Sequence, residues 1–330
     1  MTTDYVLFIH GVDTRLPDFA VPLMALVAEK MPPSDRRLEQ IPIYWGDLNS
    51  KREAKLLAAY KDASAWKDLW FQELRAEDMF RFTSDAALYL SRYVGGAIAD
   101  RIWEKASPIF LDPDPDDRLH FVTHSLGTVI LFDLLFSNRW DGPPSLPGYD
   151  SVQNLRRAIY GIPGAAQTAL VGMPLGSVTT MGSPLGLFSL IDIDQTTQEV
   201  RDANGIPLAT HDITPRLQIM LKALNALLEG RKLLWRNYLH PGDPIGSPLQ
   251  VLLPQLVDDP GGSYLEVKDV LVPSNILDIL RERFPANILG LIGALTRGSG
   301  VSVIDSAEAH SSYWTSDEVA RGIADIIARL

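Results

Sequence analysis

The sequence contains no cysteine in its 330 residues. Disulfides, thiolate metal sites and a cysteine nucleophile are excluded together, and a reducing compartment suits such a chain. Long apolar runs are also missing, since none approaches the roughly 18–20 residues needed to span a bilayer. The N-terminal MTTDYVLFIHG enters a strand by residue 4, without the basic segment and apolar core of a signal peptide, so cytoplasmic residence is expected. Positive charge is scarce: 30 basic residues stand against 41 acidic ones, for a formal charge of -11. A surface this negative repels phosphate backbones, and no basic stripe with interleaved aromatics relieves it, so nucleic acid is not an expected partner. None of the six histidines stands in an H-x-H or H-E-x-x-H spacing, which argues against a metal site. No G-x-G-x-x-G or P-loop follows the first apolar run, and no nucleotide or other cofactor is expected.

What is present reads as an ordinary globular enzyme, 46% apolar and 22% charged. Its length suits a single large α/β domain over residues 1–330. Tyr5 to Ile9 is a continuous apolar run ended by His10-Gly11, the pattern of a strand buried on both faces of a parallel sheet. A helix over residues 19–30 and a strand from Leu38 to Trp45 complete a βαβ opening. Further strands are expected at Leu119–Thr123, Ser177–Met181, Leu233–Tyr238 and Leu265–Val272. Helices are expected at Thr128–Phe136, Leu217–Leu228 and 316–330. Residues 50–107 are charged, aromatic and helical in period, and longer than a normal crossover. They read as a helical insertion, either connecting helices or a cap over an active site.

The most informative segment is Leu119-His120-Phe121-Val122-Thr123-His124-Ser125-Leu126-Gly127-Thr128. Strand, tight turn and helix follow one another in the pattern of a nucleophile elbow. There the serine is held at strained dihedrals above the sheet edge, and small residues stand two before and two after it. Gly127 meets the second requirement, and Thr123 replaces the usual glycine at the first. The fold class expected is therefore the α/β-hydrolase fold, a mostly parallel sheet flanked by helices. The N-terminus of the following helix offers Leu126 N–H as an oxyanion donor. The second donor should come from the loop after the first strand, where His10-Gly11-Val12 makes Val12 N–H the candidate. His10 reads as a structural residue of that loop, and His124 as a packed neighbour of the elbow.

A serine hydroxyl needs a base, and the base an orienting carboxylate, in the chain order Ser, acid, His. His211, His240 and His310 follow Ser125. His310 is preferred because it lies in a polar loop just before the last helix. Asp243 is the preferred acid, directly after the strand ending near Tyr238, with Asp305 as its rival.

Four segments in order carry a resemblance. They are Thr123-His124-Ser125-Leu126-Gly127 with its apolar helix, Met181-Gly182-Ser183-Pro184-Leu185, Asn237-Tyr238-Leu239-His240-Pro241-Gly242-Asp243-Pro244, and His310-Ser311-Ser312-Tyr313-Trp314. Together they resemble the DDHD-type intracellular phospholipases and related α/β-hydrolase lipases, over about a third of the chain. The resemblance implies Ser125 as nucleophile, Asp243 and His310 as acid and base, and hydrolysis of an acyl ester in a lipid or small molecule. The chain departs from that pattern after Asp243-Pro244, where Ile245-Gly246-Ser247-Pro248-Leu249 replaces the family's charged residues. The segment 50–107 has no counterpart in it. Trp66, Trp70, Phe71, Phe80 and Phe82 read first as core, and otherwise as an acyl pocket or a peripheral contact with a membrane. Ala286 to Thr296 reads as a buried helix. Two other activities share these features: acyl transfer to an alcohol or amine, and non-catalytic binding on a hydrolase scaffold.

Overall fold

The computed structural model describes residues 2–68, 80–159, 172–186, 212–272 and 309–330. Among them, six strands form one sheet. They are β1 (Thr3–Ile9), β2 (Arg37–Ile43), β3 (Arg118–His124), β4 (Leu175–Met181), β5 (Leu233–Leu239) and β6 (Leu265–Leu271). Their order is β2-β1-β3-β4-β5-β6, and every neighbouring pair is parallel. A parallel pair cannot be closed by a hairpin, so the chain must cross over between strands, and helices end up on both faces.

The alternation within β1 shows how the two faces are specified. Val6 and Phe8 enter one apolar cluster with Leu23 and Val27 of α1 (Val21–Lys30) and Val319, Ile323 and Ile327 of α2, the C-terminal helix Asp317–Ala328. Leu7 and Ile9 point the other way, into the larger cluster. The C-terminal helix is well started: Ser316 caps it by accepting the Val319 N–H, and Asp317 and Glu318 occupy its first turn, where negative charge is favoured.

Across the sheet, Arg92–Ala106 (α3) buries Val94, Ile98, Ala99 and Ile102 on its way from β2 to β3. Leu126–Phe136 (α4) is buried along its whole length, held between the sheet and the neighbouring helices Tyr149–Ala158 (α5) and Thr214–Leu227 (α6). Its one charge, Asp133, is fully buried and is matched by Arg139, the Tyr89 hydroxyl and the Trp140 indole. The first part of the 50–107 segment supplies two more helices, Ser50–Asp62 (α7) and Phe80–Leu90 (α8). Both are tied by side chains to the loop that leaves β1.

The expected elements recur within a few residues of their expected ends. The second strand stops at Ile43 rather than Trp45 because Trp45 turns inward, giving its backbone N–H to His10 Nε2 and its indole N–H to His10 O. The helix after Ser125 starts at Leu126, earlier than the expected Thr128. Trp66 is half-buried in a short turn of helix, Ser64–Asp68. Trp70, Phe71, the side chains of Phe80 and Phe82, His211, Ala286 to Thr296 and Asp305 lie outside the described residues. Among the described residues no helix is long and apolar enough to cross a membrane.

Candidate active site

All strands end at the same edge of the sheet. From β1 the chain turns to β2 on one side, and from β3 it turns to β4 on the other, a switch in direction that opens a crevice where ligands bind in open parallel sheets. Ser125 follows β3 at this crevice. Its φ is 51° and its ψ -130°, a strained conformation for a residue with a Cβ. Ser125 N–H donates to Met181 O at 3.0 Å, and its carbonyl accepts from Thr128 N–H at 3.0 Å. Leu126 is the first residue of α4, so its N–H has no carbonyl one turn earlier to meet.

The elbow is closed by steric contact on both sides. A Cβ on Gly127 would lie 2.4 Å from His10 O and 2.7 Å from Ile9 O, so α4 touches the end of β1 at this point. A Cβ on Gly11 would lie 2.4 Å from the Cβ of Ser125. At the position where a glycine is more usual, Thr123 is fully buried, and its hydroxyl bonds that of Thr128 at 2.8 Å. The departure from glycine thus adds a tie between strand and helix.

His310 and Asp243 meet Ser125 from elsewhere in the chain. The Ser125 hydroxyl lies 2.7 Å from His310 Nε2, and His310 Nδ1 lies 2.9 Å from Asp243 Oδ1. An ionised carboxylate can only accept, so Nδ1 carries the ring proton and Nε2 accepts from the serine. Burial pushes the Asp243 carboxyl up, but hydrogen bonds from His310, the Ile245 N–H and the Tyr313 hydroxyl outweigh it and hold the group below the ordinary carboxylate value. Two supports here were not identified from the sequence. Tyr313 donates to Asp243 Oδ2 at 2.7 Å and accepts the His240 N–H at 2.8 Å. Gly182, at φ 52°, leaves room for the carboxylate, since a Cβ there would stand 2.5 Å from Asp243 Oδ2. Tyr313 could have been noticed as the residue three after His310 in a short helical turn; Gly182 had only its turn-forming company, Ser183-Pro184.

His240, His124 and His10 serve as supports. His240 Nδ1 accepts the Gly242 N–H at 3.1 Å. His124 lies 2.6 Å from the carbonyl of His310 through Nε2, which therefore carries its proton. Burial, followed by the nearby His310 ring, pushes its pKa down to about 3. His10 is buried and stacked on Trp45. Its Nε2 accepts the Trp45 N–H, so Nδ1 carries the proton and donates to Gly11 O at 2.7 Å. Burial lowers its pKa to about 3. In a trans peptide the C=O and N–H point opposite ways. With Gly11 O turned to the ring, Val12 N–H faces away from it. Among the described residues no group of three or more His, Asp or Glu is placed to hold a metal ion.

Comparison with protein-family models found no match, and comparison with curated proteins found none either. The phospholipase resemblance therefore rests on the four sequence segments alone. Among solved structures the chain is similar to an acetyl xylan esterase, at 10% identity and a TM-score of 0.31, over 98% of this chain and 97% of that one. At that level the likeness carries no argument about this chain.

Proposed function

We propose that the protein is a serine hydrolase of the α/β-hydrolase fold that cleaves carboxylic esters through an acyl-enzyme, with Ser125, His310 and Asp243 as its triad. The observation that carries this reading is the unbroken relay from the Ser125 hydroxyl through His310 to Asp243, at 2.7 and 2.9 Å, on a serine at positive φ. The strand order, with the nucleophile after the third strand at the switch point, supports the same fold.

In the proposed reaction, Ser125 Oγ attacks the ester carbonyl while its proton passes to His310 Nε2. Asp243 holds the imidazole in the Nδ1–H tautomer and stabilises the imidazolium that forms. Leu126 and Val12 N–H groups receive the oxyanion. Collapse of the tetrahedral intermediate expels the alcohol, which takes the proton from His310. Water then attacks the acyl-enzyme, giving its proton to His310, and the second collapse returns that proton to Ser125 Oγ. The substrate class is a small-molecule or lipid acyl ester, the lipid form following from the sequence resemblance.

The test is labelling by a fluorophosphonate probe, with p-nitrophenyl esters of rising chain length as substrates. Native protein should label and turn over, and Ser125→Ala should do neither. Ser125→Ala and His310→Ala should each lower kcat by about 10^3-fold or more. Absence of labelling in a folded native protein would overturn the reading. Near-normal turnover by Asp243→Asn would show that a different acid serves His310.

A further inference from the structure

The loop that leaves β1 is held by its own His10 and by side chains from α7 and α8. His10 fixes the peptide before Val12 through Gly11 O, at 2.7 Å. The peptide after Val12 is fixed by a residue of the 50–107 segment: Asp13 N–H donates to Asp85 Oδ2 at 2.9 Å. Asp13 itself has a φ of 54°, in the left-handed region that Asp enters more readily than most residues with a Cβ. Asp85 is 1% exposed, and its other oxygen accepts the Asn49 amide at 3.0 Å. Around this carboxyl stand Glu53 from α7 and Arg15 and Asp13 from the loop. Arg15 bridges them, reaching Glu53 at 2.7 Å and Asp13 at 3.1 Å.

We infer that Asp85 is a positioning residue for ester hydrolysis: its carboxylate locks the Val12–Asp13 peptide so that, with His10 locking the peptide before it, Val12 N–H is held ready for the oxyanion. The inference rests on the reading of Ser125 and Val12 given above. Burying a carboxyl is costly, and burial together with the neighbouring Glu53 raises the pKa of this one. A fold that needed only an apolar contact between α8 and the loop would gain by a leucine here. What a carboxyl supplies instead is a pair of acceptors, one for the Asp13 backbone N–H and one for an amide that orients the group.

The experiment compares Asp85→Ala, Asp85→Asn and Asn49→Ala with native protein on a p-nitrophenyl ester, using active sites titrated by fluorophosphonate so that only folded enzyme is counted. A trifluoromethyl ketone is the second probe, because its adduct with serine places an oxyanion in the same donors. Asp85→Ala should lower kcat per titrated site by about 10- to 100-fold, weaken the ketone similarly and leave KM within about twofold. Asp85→Asn should stay within about threefold, because its amide oxygen still accepts the Asp13 N–H. Asn49 can then turn over to offer Oδ1, which has no partner among the described residues.

Native kcat and ketone affinity in Asp85→Ala would overturn the inference, as would an Asp85→Asn loss equal to that of Asp85→Ala. If Asp85→Ala does not fold, Asn49→Ala decides: it should lower kcat and ketone affinity by about threefold, and native values for both would overturn the inference. Failure of the underlying reading looks different. A Ser125→Ala protein that keeps full turnover overturns both, whereas a labelled, active native enzyme with an indifferent Asp85→Ala overturns the Asp85 role alone.

Discussion

At the scale of single residues, the site is a set of polar groups that each have one permitted orientation. Tyr313 shows what such a group does without approaching the reacting atoms. Its hydroxyl is both donor to Asp243 and acceptor from His240 N–H, and burial, reinforced by the Asp243 charge, raises its own pKa, so it stays protonated. Tyr313→Phe removes both bonds while keeping the ring in the apolar cluster it shares with Val319 and Tyr238. The expected cost is about 1–3 kcal/mol of folding stability, from the orphaned N–H and the weakened carboxylate shell. Turnover should fall by about tenfold, because Asp243 is freer to rotate away from His310. Urea unfolding alongside ester kinetics checks this, and a variant with native stability and native kcat would remove Tyr313 from the site.

Elements set where those residues can stand. The approach of α4 to the end of β1 is as close as backbone allows, and Gly127→Ala would press a methyl group to 2.4 Å from His10 O. Either the helix must shift or the strand end must, and both carry parts of the site. A loss of about 3 kcal/mol or more is expected, with turnover at the background of Ser125→Ala. Denaturant titration would detect it, and an active variant of native stability would mean that the contact relaxes freely. This same contact explains why the elbow could be read from sequence. Ten consecutive residues, Leu119 to Thr128, contain most of the strand, the strained serine, the glycine and the start of the apolar helix, so the requirement is entirely local. Strand β1 was legible for a similar reason, since burial on both faces leaves Val6–Ile9 with nothing but apolar side chains.

Legibility ends where partners are brought together by topology. Asp85 lies 72 positions from Asp13, and Gly182 meets Asp243 only because β4 and β5 are neighbours. No spacing rule connects such pairs. Thr123 illustrates a middle case: its place in the elbow was evident, but its bond to Thr128 Oγ1 follows from the rotamers that packing allows.

For the whole molecule, the buried imidazoles make stability depend on pH. His10 and His124 are held neutral with pKa values pushed by burial to about 3, and burial lowers His120 and His240 as well. In the unfolded chain these groups take up protons near pH 6.5. Their contribution is therefore complete above that value and is lost as pH falls from about 6.5 toward 3. Asp85 acts in the opposite sense. Its raised pKa favours the fold while it is protonated, and that benefit is lost as pH rises above the ordinary carboxylate range. Four imidazoles outweigh one carboxyl, so stability should drop between pH 7 and pH 5 by about 2 kcal/mol for each of His10 and His124, less what Asp85 returns. Urea unfolding at the two pH values measures this directly, and equal stabilities would show that these rings are not neutral in the fold.

The seam between α1 and the C-terminal helix, with His310 just ahead of that helix, also bears on synthesis. A ribosome delivers Ser125 185 residues before His310. Until His310 is delivered, the proposed nucleophile has no base. The segment that carries His310 leads into the helix that packs on α1 and covers that face of the sheet. On the proposed mechanism, the triad and this packed face of the sheet are therefore completed by the same segment, and a chain lacking that segment has no base with which to attack an ester.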